Sequence, residues 1–453
     1  MAEKNKLETQ KISKLFFSLA VPTVLAQIVN MLYNIVDRIY IGNMQDVGDL
    51  AITGLGLCFP IIMAITAIAH LFGTGGAPKA SIAMGCGDNP TAEKILGNSV
   101  TALAISGVVM TIITLILAKP LLFLFGASEN TIYYALDYIN IYAIGNIFVL
   151  FSLGLNAFIT AQGFSKISMA TVLIGAILNI ILDPIFIFGL KMGVKGAALA
   201  TIISQAVSAI WVIKFLSGEK SILKIKKKNL YIEKRIILGT IALGLSPFIM
   251  TSTESILNIC FNSSLFKYGG DHAVGTMTIL SSVFSLCFMV NSGLTQAAQP
   301  IISYNFGAGR IDRVKKMITL LVTVSMIYAF LFFLSTQLFT EEFVSLFNKN
   351  VELKALAIRS MKVYTAGTIL FGAQIAFQQS FVALGQATVS IFLACFRKLI
   401  LLIPLIYILP NFFEDKVFAI FLAEPIADIT AAIVTTLTFL FMYKKIVRKV
   451  DRN

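Results

Sequence analysis

Two carboxylates that lie within long apolar stretches are the residues of this chain best suited to chemistry. Asp37 ends the run LAVPTVLAQIVNMLYNIVD, and Asp183 lies within NIILDPIFIFG. An ionised side chain at the centre of a bilayer costs about 3 kcal/mol on insertion scales. Proteins retain such groups where they face a cavity, pair with another charge, or carry a proton or an ion. The two aspartates therefore point to ion-coupled transport through a membrane.

Other polar side chains accompany Asp183. Asn179 precedes it by four residues, which places both on one face of a helix. Pro184 follows and leaves a backbone carbonyl unpaired near the carboxylate. With a hydroxyl from Thr201 or Ser204, this set of oxygens would suit Na⁺. Two neighbouring carboxylates could instead share a proton.

Simpler explanations of both aspartates stay open at this stage. Arg38 can mark the outer membrane interface, in which case Asp37 is merely hydrated there. The Asp183-Pro184 pair can be a helix end whose carboxylate bonds to local backbone groups.

Further charges occur in the second half of the chain. Glu254 lies in the polar stretch SPFIMTSTESILNICFN and is either a second protonatable site or a hydrogen-bonded structural residue. Arg397, Lys398, Glu424 and Asp428 fall in the last apolar runs. Arg397 and Asp428 should lie at similar depth, so we predict an ion pair that lowers the cost of burying both. A transport role for this group is the alternative.

The composition places the whole chain in a membrane. Of its 453 residues, 57% are hydrophobic and 13% are charged, and the mean hydropathy is +0.86; soluble domains contain about 25% charged residues. The net charge of +13 does not indicate nucleic-acid binding, because Lys and Arg occur in short loops between apolar runs. The five cysteines show no metal-site spacing and are expected to be free thiols, and two histidines make a His-based metal site implausible.

Apolar runs of about 20 residues predict an all-α membrane protein with twelve transmembrane helices. Lys and Arg concentrate in the segments that would be cytoplasmic if both termini are cytoplasmic, and we predict that orientation in the cell membrane. The predicted spans are 15–42, 51–78, 93–118, 132–160, 167–190, 195–217, 236–266, 272–300, 314–338, 355–384, 389–410 and 416–443.

The two halves of the chain repeat. GTGGAPKASIAMGCG, starting at Gly73, aligns with TQAAQPIISYNFGAG, starting at Thr295, an offset of 222 residues. Both segments are predicted to be small-residue turns and close helix contacts. Since each half has six spans, the halves keep one orientation and should form two pseudo-symmetric lobes around a central cavity. The predicted domains are an N-lobe (1–217), a basic cytoplasmic linker (218–235) that orients the chain or contacts anionic lipid, and a C-lobe (236–453).

These segments resemble the multidrug and toxic compound extrusion (MATE) family, branch of bacterial multidrug exporters. The resemblance covers nearly the whole chain in order. It rests on PTVLAQIVNMLYNIVDRIYIG, GFSKISMATVLIGAILNIILDP, GVKGAALATIISQ, Pro247 with Glu254, and QPIISYNFGAG. It implies twelve helices in two lobes and export of bulky, often cationic drugs against H⁺ or Na⁺.

The resemblance also implies roles for particular residues. Asp37, Asn179, Asp183 and Thr201 match the N-lobe cation site of prokaryotic members, where Na⁺ would be held by the two aspartates and the asparagine. Pro22 matches a proline at which the first helix bends, and Glu254 matches a C-lobe acid used in some branches. The chain departs from the family in the tenth span, which lacks the Asp of some branches. The candidates for the wall of the substrate cavity are Gln27, Asn30, Tyr33, Asn34, Asn156, Gln374 and Gln378.

The sequence therefore predicts a secondary antiporter that exports cationic amphiphilic drugs in exchange for H⁺ or Na⁺. We expect a monomer in the lipid bilayer that needs no other cofactor and binds no nucleic acid. The absence of a Walker motif argues against ATP hydrolysis. A flippase for lipid-linked oligosaccharides or lipids, with the same broad fold, is the alternative, while a membrane-embedded enzyme is not expected.

Overall fold

The computed structural model describes residues 6–44, 47–345 and 351–450 and is almost entirely helical. Six membrane helices form the N-lobe. Their bounds are Ile12–Gly42 (α1), Gly48–Gly85 (α2), Asn89–Leu124 (α3), Ile132–Ala161 (α4), Ser165–Pro184 continued by the π-helical turn Ile185–Gly189 (α5), and Val194–Ser217 (α6).

The C-lobe repeats this pattern with more irregular helices. Two helices, α7 and α8, are the arms of Lys234–Gly307 before and after Gly270. The remaining bounds are Ile311–Leu338 (α9), Val351–Tyr364 with the 3₁₀ turn Thr365–Gly367 and Thr368–Ala383 (α10), Ala387–Cys395 with the π-helical turn Phe396–Leu402 and Ile403–Ile408 (α11), and Lys416–Val450 (α12).

The twelve predicted spans are all present, but two details differ from the prediction. No loop separates the seventh and eighth spans, because the chain reverses at Gly270 alone, whose φ of 61° only glycine adopts readily. The tenth span is not one helix, because the 3₁₀ turn Thr365–Gly367 divides it; the Thr365 hydroxyl donates to the Met361 carbonyl of the preceding helix, and the Thr368 hydroxyl donates to the Thr365 carbonyl of the turn. Within the described residues, ten continuous helices are therefore long and apolar enough to cross a membrane.

The outer surface of the helices is suited to lipid. Large apolar side chains such as Ile116, Leu437 and Phe441 are more than half exposed. A soluble monomer rarely presents so many in continuous bands. The described chain is thus a multi-pass membrane protein.

The backbones of the two lobes come into close contact where α2 crosses α8. Gly85 lies against the Tyr304 carbonyl, and Gly307 lies against the Ile82 carbonyl, so that a methyl group at either glycine would overlap backbone. The glycines occupy equivalent positions of the repeat, which confirms the predicted close helix contacts. This end of the bundle also contains the N-terminus of α1.

A short N-terminal turn, Lys6–Thr9, adds to the contacts between the lobes at this end of the bundle. The Leu7 side chain is buried and lies 3.2 Å from the position a Cβ would take at Gly163, in the loop after α4. Arg313 of α9 donates to the Leu7 carbonyl at 3.0 Å, and the Asn305 amide donates to it at 3.0 Å. The N-terminus therefore contacts both lobes.

The segment between α6 and α7 is fixed to the N-lobe. The Gln162 side-chain oxygen accepts hydrogen bonds from the Ser221 hydroxyl and from the backbone of Ile222 and Leu223, at 2.7–3.1 Å. The Glu233 backbone donates to Asn98, and a hydrogen bond from Lys94 holds the pKa of the Glu233 carboxyl below its usual range. The division into 1–217, 218–235 and 236–453 stays a prediction.

Substituting Gly85, where α2 crosses α8, should weaken the contact between the lobes. We expect Gly85→Ala to lower the thermal unfolding midpoint of the purified protein, because a Cβ there displaces the α8 backbone. Gly56→Ala, on the same helix with open space around it, is the matched control. It should leave the midpoint unchanged or raise it, since Ala is about 1 kcal/mol better than Gly in a helix. Equal midpoints for the two variants would contradict the tight crossing.

Candidate functional site

The structure joins three of the predicted N-lobe residues by hydrogen bonds. The Asn179 side-chain amide donates to Asp183 Oδ1 at 3.2 Å and to Thr201 Oγ1 at 3.4 Å. Asp183 is fully buried, and Asn179 is 2% exposed. Because α5 packs against both α1 and α6, the four-residue spacing places the asparagine and the aspartate on one buried face between these helices.

Asp37 of α1 completes this cluster. Its carboxyl group lies beside that of Asp183, and Tyr33, one turn earlier on α1, lies near both. Asp37 is buried rather than hydrated at the interface, so the simpler explanation of its position is not favoured. The predicted cation site is therefore assembled from α1, α5 and α6.

The cluster has more acceptors than donors. Asp37 Oδ1, Asn179 Oδ1 and Asp183 Oδ2 are buried and accept no hydrogen bond from the part of the chain that the structure describes. Ser204 Oγ, which the sequence also nominated, is buried and unpaired in the same sense. Buried oxygens of this kind normally have a partner. Carboxylate, amide and hydroxyl oxygens without a donor fit a proton on the carboxylate pair or a hard cation such as Na⁺.

One residue of this region was missed by the sequence analysis. Tyr138 of α4 is buried, its hydroxyl lies next to Thr201, and it is close to Asp37. Its ring stacks on Tyr142 with centroids 6.0 Å apart. The recurrence of tyrosine at positions 134, 138 and 142 was the available signal, because residues four apart share one helix face.

Pro22 is buried in the interior of α1, which is helical from Ile12 to Gly42. The next residue, Thr23, donates a hydrogen bond to the Gly293 carbonyl of α8 at 2.8 Å. The first helix is thus attached to the C-lobe beside its proline. Bending at Pro22 stays a prediction.

The candidates for the cavity wall divide into two groups. Gln27 and Tyr33 are partly exposed and Asn30 and Asn34 are exposed, all on α1. The other three candidates, Asn156, Gln374 and Gln378, form side-chain contacts within the protein. The Asn156 amide donates to the Ser168 carbonyl at 3.3 Å.

Gln374 and Gln378 are buried in α10. Gln374 donates to Gln378 Oε1 at 2.7 Å, and Gln378 contacts the Met250 sulfur. Their predicted contact with substrate stays a prediction, and in this conformation the two side chains contact each other.

The C-lobe contains a second buried charged cluster. Arg397 donates from Nε to Asp428 Oδ1 at 2.7 Å and from Nη2 to Glu424 Oε1 at 3.1 Å. All three residues are buried, and the guanidinium lies over the Phe371 ring at 5.4 Å. The predicted pair of Arg397 and Asp428 is confirmed, with Glu424 as a further partner.

Glu254 belongs to the same cluster through Lys398. The Lys398 ammonium forms an ion pair with the Glu254 carboxylate and donates to the Met250 carbonyl at 2.5 Å. The Lys398 side chain is 3% exposed, whereas that of Glu254 is 50% exposed. The structure thus places Glu254 in an ion pair, apart from the N-lobe cluster.

Two related lobes of six membrane helices, with a buried carboxylate pair inside one of them, are the architecture of a membrane transporter. The chain belongs to the MatE family, whose model matches residues 22–185 and 247–408, once in each lobe.

Individual relatives agree with this assignment. The multidrug export protein MepA of Staphylococcus haemolyticus is 25% identical over 94% of this chain and 93% of its own. A crystal structure of MATE in the bent conformation matches with a TM-score of 0.92 and 22% identity over 98% of each chain. MATE in the straight conformation matches with a TM-score of 0.91 and 22% identity over all of both chains.

Breaking the C-lobe pair should destabilise the protein strongly. Arg397→Met leaves two buried carboxylates without their cation, which costs about 3–5 kcal/mol of unfolding free energy. We expect a large loss of monodisperse protein and a lower thermal midpoint. Arg359→Met, which removes an exposed pair with Asp415, is the control and should cost about 1 kcal/mol or less.

The charge-swapped double variant tests the pairing itself. Arg397→Asp with Asp428→Arg should recover part of the lost yield, because each buried charge regains an opposite neighbour. A double variant no better than Arg397→Met would argue against the pair as the source of stability.

Proposed function

We propose that the protein is a multidrug exporter that exchanges organic cations for H⁺ or Na⁺. The observation that carries the proposal is the adjacent, buried pair Asp37 and Asp183, which forms no ion pair with Lys or Arg among the described residues. The relatives named as multidrug export proteins supply the substrate class.

The carboxylate pair can act as a switch between two charge states. With both groups ionised, the N-lobe attracts a cationic amphiphile by Coulomb forces in a medium of low dielectric. A proton or Na⁺ that enters from outside neutralises the pair and removes this attraction. Exchange follows if the drug and the ion prefer different conformations, because a ligand shifts an equilibrium only by its differential affinity.

The first helix can transmit this change. Asp37 lies near one end of α1, and Pro22 lies in its interior, where the missing backbone donor permits a bend. In our proposal, neutralisation of Asp37 lets α1 bend at Pro22, shrink the N-lobe cavity and expel the drug. Orientation with both termini in the cytoplasm, a bacterial cell membrane location and a monomeric state are part of the proposal.

Transport by the purified protein tests the proposal directly. We expect ethidium efflux from proteoliposomes when a pH gradient or a Na⁺ gradient is imposed separately, and the effective gradient identifies the ion. Shared protonation of two carboxylates favours H⁺, whereas the unpaired amide and hydroxyl oxygens favour Na⁺. Folded protein that transports ethidium under neither gradient would favour the flippase alternative.

Neutralising the first aspartate should stop exchange without unfolding the protein. Asp37→Asn keeps the side chain's size and removes the charge, so we expect normal expression and loss of gradient-driven ethidium efflux. Asp137→Asn, in an exposed pair with Lys195, is the matched control and should transport normally. Undiminished efflux by Asp37→Asn would exclude the residue as the coupling group.

A further inference from the structure

Equivalent helices of the two lobes contain the two charged clusters. In the N-lobe, α1, α5 and α6 supply Asp37, Asp183 and Thr201. In the C-lobe, the corresponding helices α7, α11 and α12 supply Glu254, Lys398 and the partners of Arg397. The C-lobe cluster is therefore the pseudo-symmetric counterpart of the proposed cation site.

The C-lobe cluster lies at a different level along its helices from the N-lobe cluster. At the repeat offset, Lys398 corresponds to Ala176, which lies about two helical turns before Asp183 on α5. Asp428 is displaced in the same direction along α12. The C-lobe cluster is thus nearer to the end at which α2 crosses α8, although the same three helices form it.

The two clusters differ in how their carboxylates are compensated. In the described part of the N-lobe, neither aspartate is in an ion pair with Lys or Arg. In the C-lobe, Arg397 pairs with both Asp428 and Glu424, and Lys398 pairs with Glu254. The protein's own cations therefore compensate the C-lobe carboxylates, whereas in our proposal an exchangeable cation compensates the N-lobe pair.

The burial of the two side chains shows from which side Lys398 approaches Glu254. The Lys398 side chain is almost fully buried and anchored to the Met250 carbonyl, so it approaches Glu254 from the protein interior. Half of the Glu254 side chain is exposed. At this depth an exposed carboxylate faces water rather than lipid, because lipid exposure of a charge is too costly. Glu254 is therefore accessible to dissolved cations but already paired with Lys398.

We propose that Lys398 is a tethered counter-ion that keeps Glu254 from binding the transported organic cation. The inference rests on the proposed cation exchange in the N-lobe, to which it adds a specificity-determining residue. Lys398 compensates a C-lobe carboxylate, as H⁺ or Na⁺ would compensate the N-lobe pair, but about two helical turns away along the equivalent helix. Since Lys398 cannot leave, one lobe exchanges its cation and the other does not.

Binding of tetraphenylphosphonium to the purified full-length protein tests this assignment. Lys398→Met removes the tethered charge and unmasks Glu254, so we expect the Kd to fall about tenfold, as for a half-exposed charge pair at intermediate dielectric. Glu254→Gln combined with Lys398→Met removes both charges and should return the Kd to the wild-type value. Lys195→Met, at an exposed pair on the N-lobe, is the control and should leave the Kd unchanged.

Two results of this experiment would overturn the proposal. An unchanged or larger Kd for folded Lys398→Met would show that the lysine does not mask Glu254. A gain in affinity that persists in the double variant would show that the lysine repels cations without acting through Glu254.

A measurement on the wild-type protein covers the case in which Lys398→Met does not fold. Dicyclohexylcarbodiimide reacts with protonated carboxyl groups in apolar surroundings, so peptide mapping at neutral pH should find Glu254 unmodified. Modification of Glu254 would contradict the ion pair.

The N-lobe variant separates this inference from the proposed function. In an Asp37→Asn background, Lys398→Met should still tighten tetraphenylphosphonium binding, because Glu254 belongs to the other lobe. If Asp37→Asn leaves gradient-driven efflux intact while Lys398→Met tightens binding, the proposed function fails and the role of Lys398 stands. If efflux is lost and binding is unaffected by Lys398→Met, the reverse holds.

Discussion

The cost of placing charge inside a membrane is the constraint on which this structure depends. Every ionisable side chain at depth must be paired, protonated or hydrated, because the surrounding medium cannot solvate it. The C-lobe meets the constraint internally, with Arg397 and Lys398 against three carboxylates. In the N-lobe, Asp37 Oδ1 and Asp183 Oδ2 lack a hydrogen-bond partner among the described residues, and we propose that H⁺ or Na⁺ compensates this pair. In our proposal the two repeated lobes thus provide one fixed and one exchangeable compensation of buried charge.

Local irregularities of the helices make both arrangements possible. The π-helical turn Phe396–Leu402 contains both C-lobe cations, and these consecutive residues reach different neighbours: Arg397 contacts α12, and Lys398 contacts α7. The fifth helix of the N-lobe also continues into a π-helical turn, directly after Asp183-Pro184. Such turns are rare and occur frequently at functional sites. The glycines of α2 and α8 let the backbones of the two lobes come into contact at one end of the bundle.

Much of this organisation could be predicted from the sequence, for identifiable reasons. Span number follows from apolar run length, and the grouping of Asn179, Asp183 and Thr201 follows from helical spacing together with the family resemblance. The pairing of Arg397 with Asp428 followed from equal depth. The partner of Glu254 could not be predicted, because it depends on which side of α11 faces α7 within a π-helical turn. Tyr138 was missed because tyrosine in a membrane helix is common, and the burial of Gln374 and Gln378 depends on helix rotation.

The attachment of the 218–235 segment to the N-lobe has a mechanical consequence. Gln162, Asn98 and Lys94 hold this segment along its length, and α7 begins directly after it at Lys234. The covalent connection between the lobes therefore contains almost no slack. The segment itself can therefore take up little relative rotation of the lobes, and α7 is held at its first turn by the N-lobe.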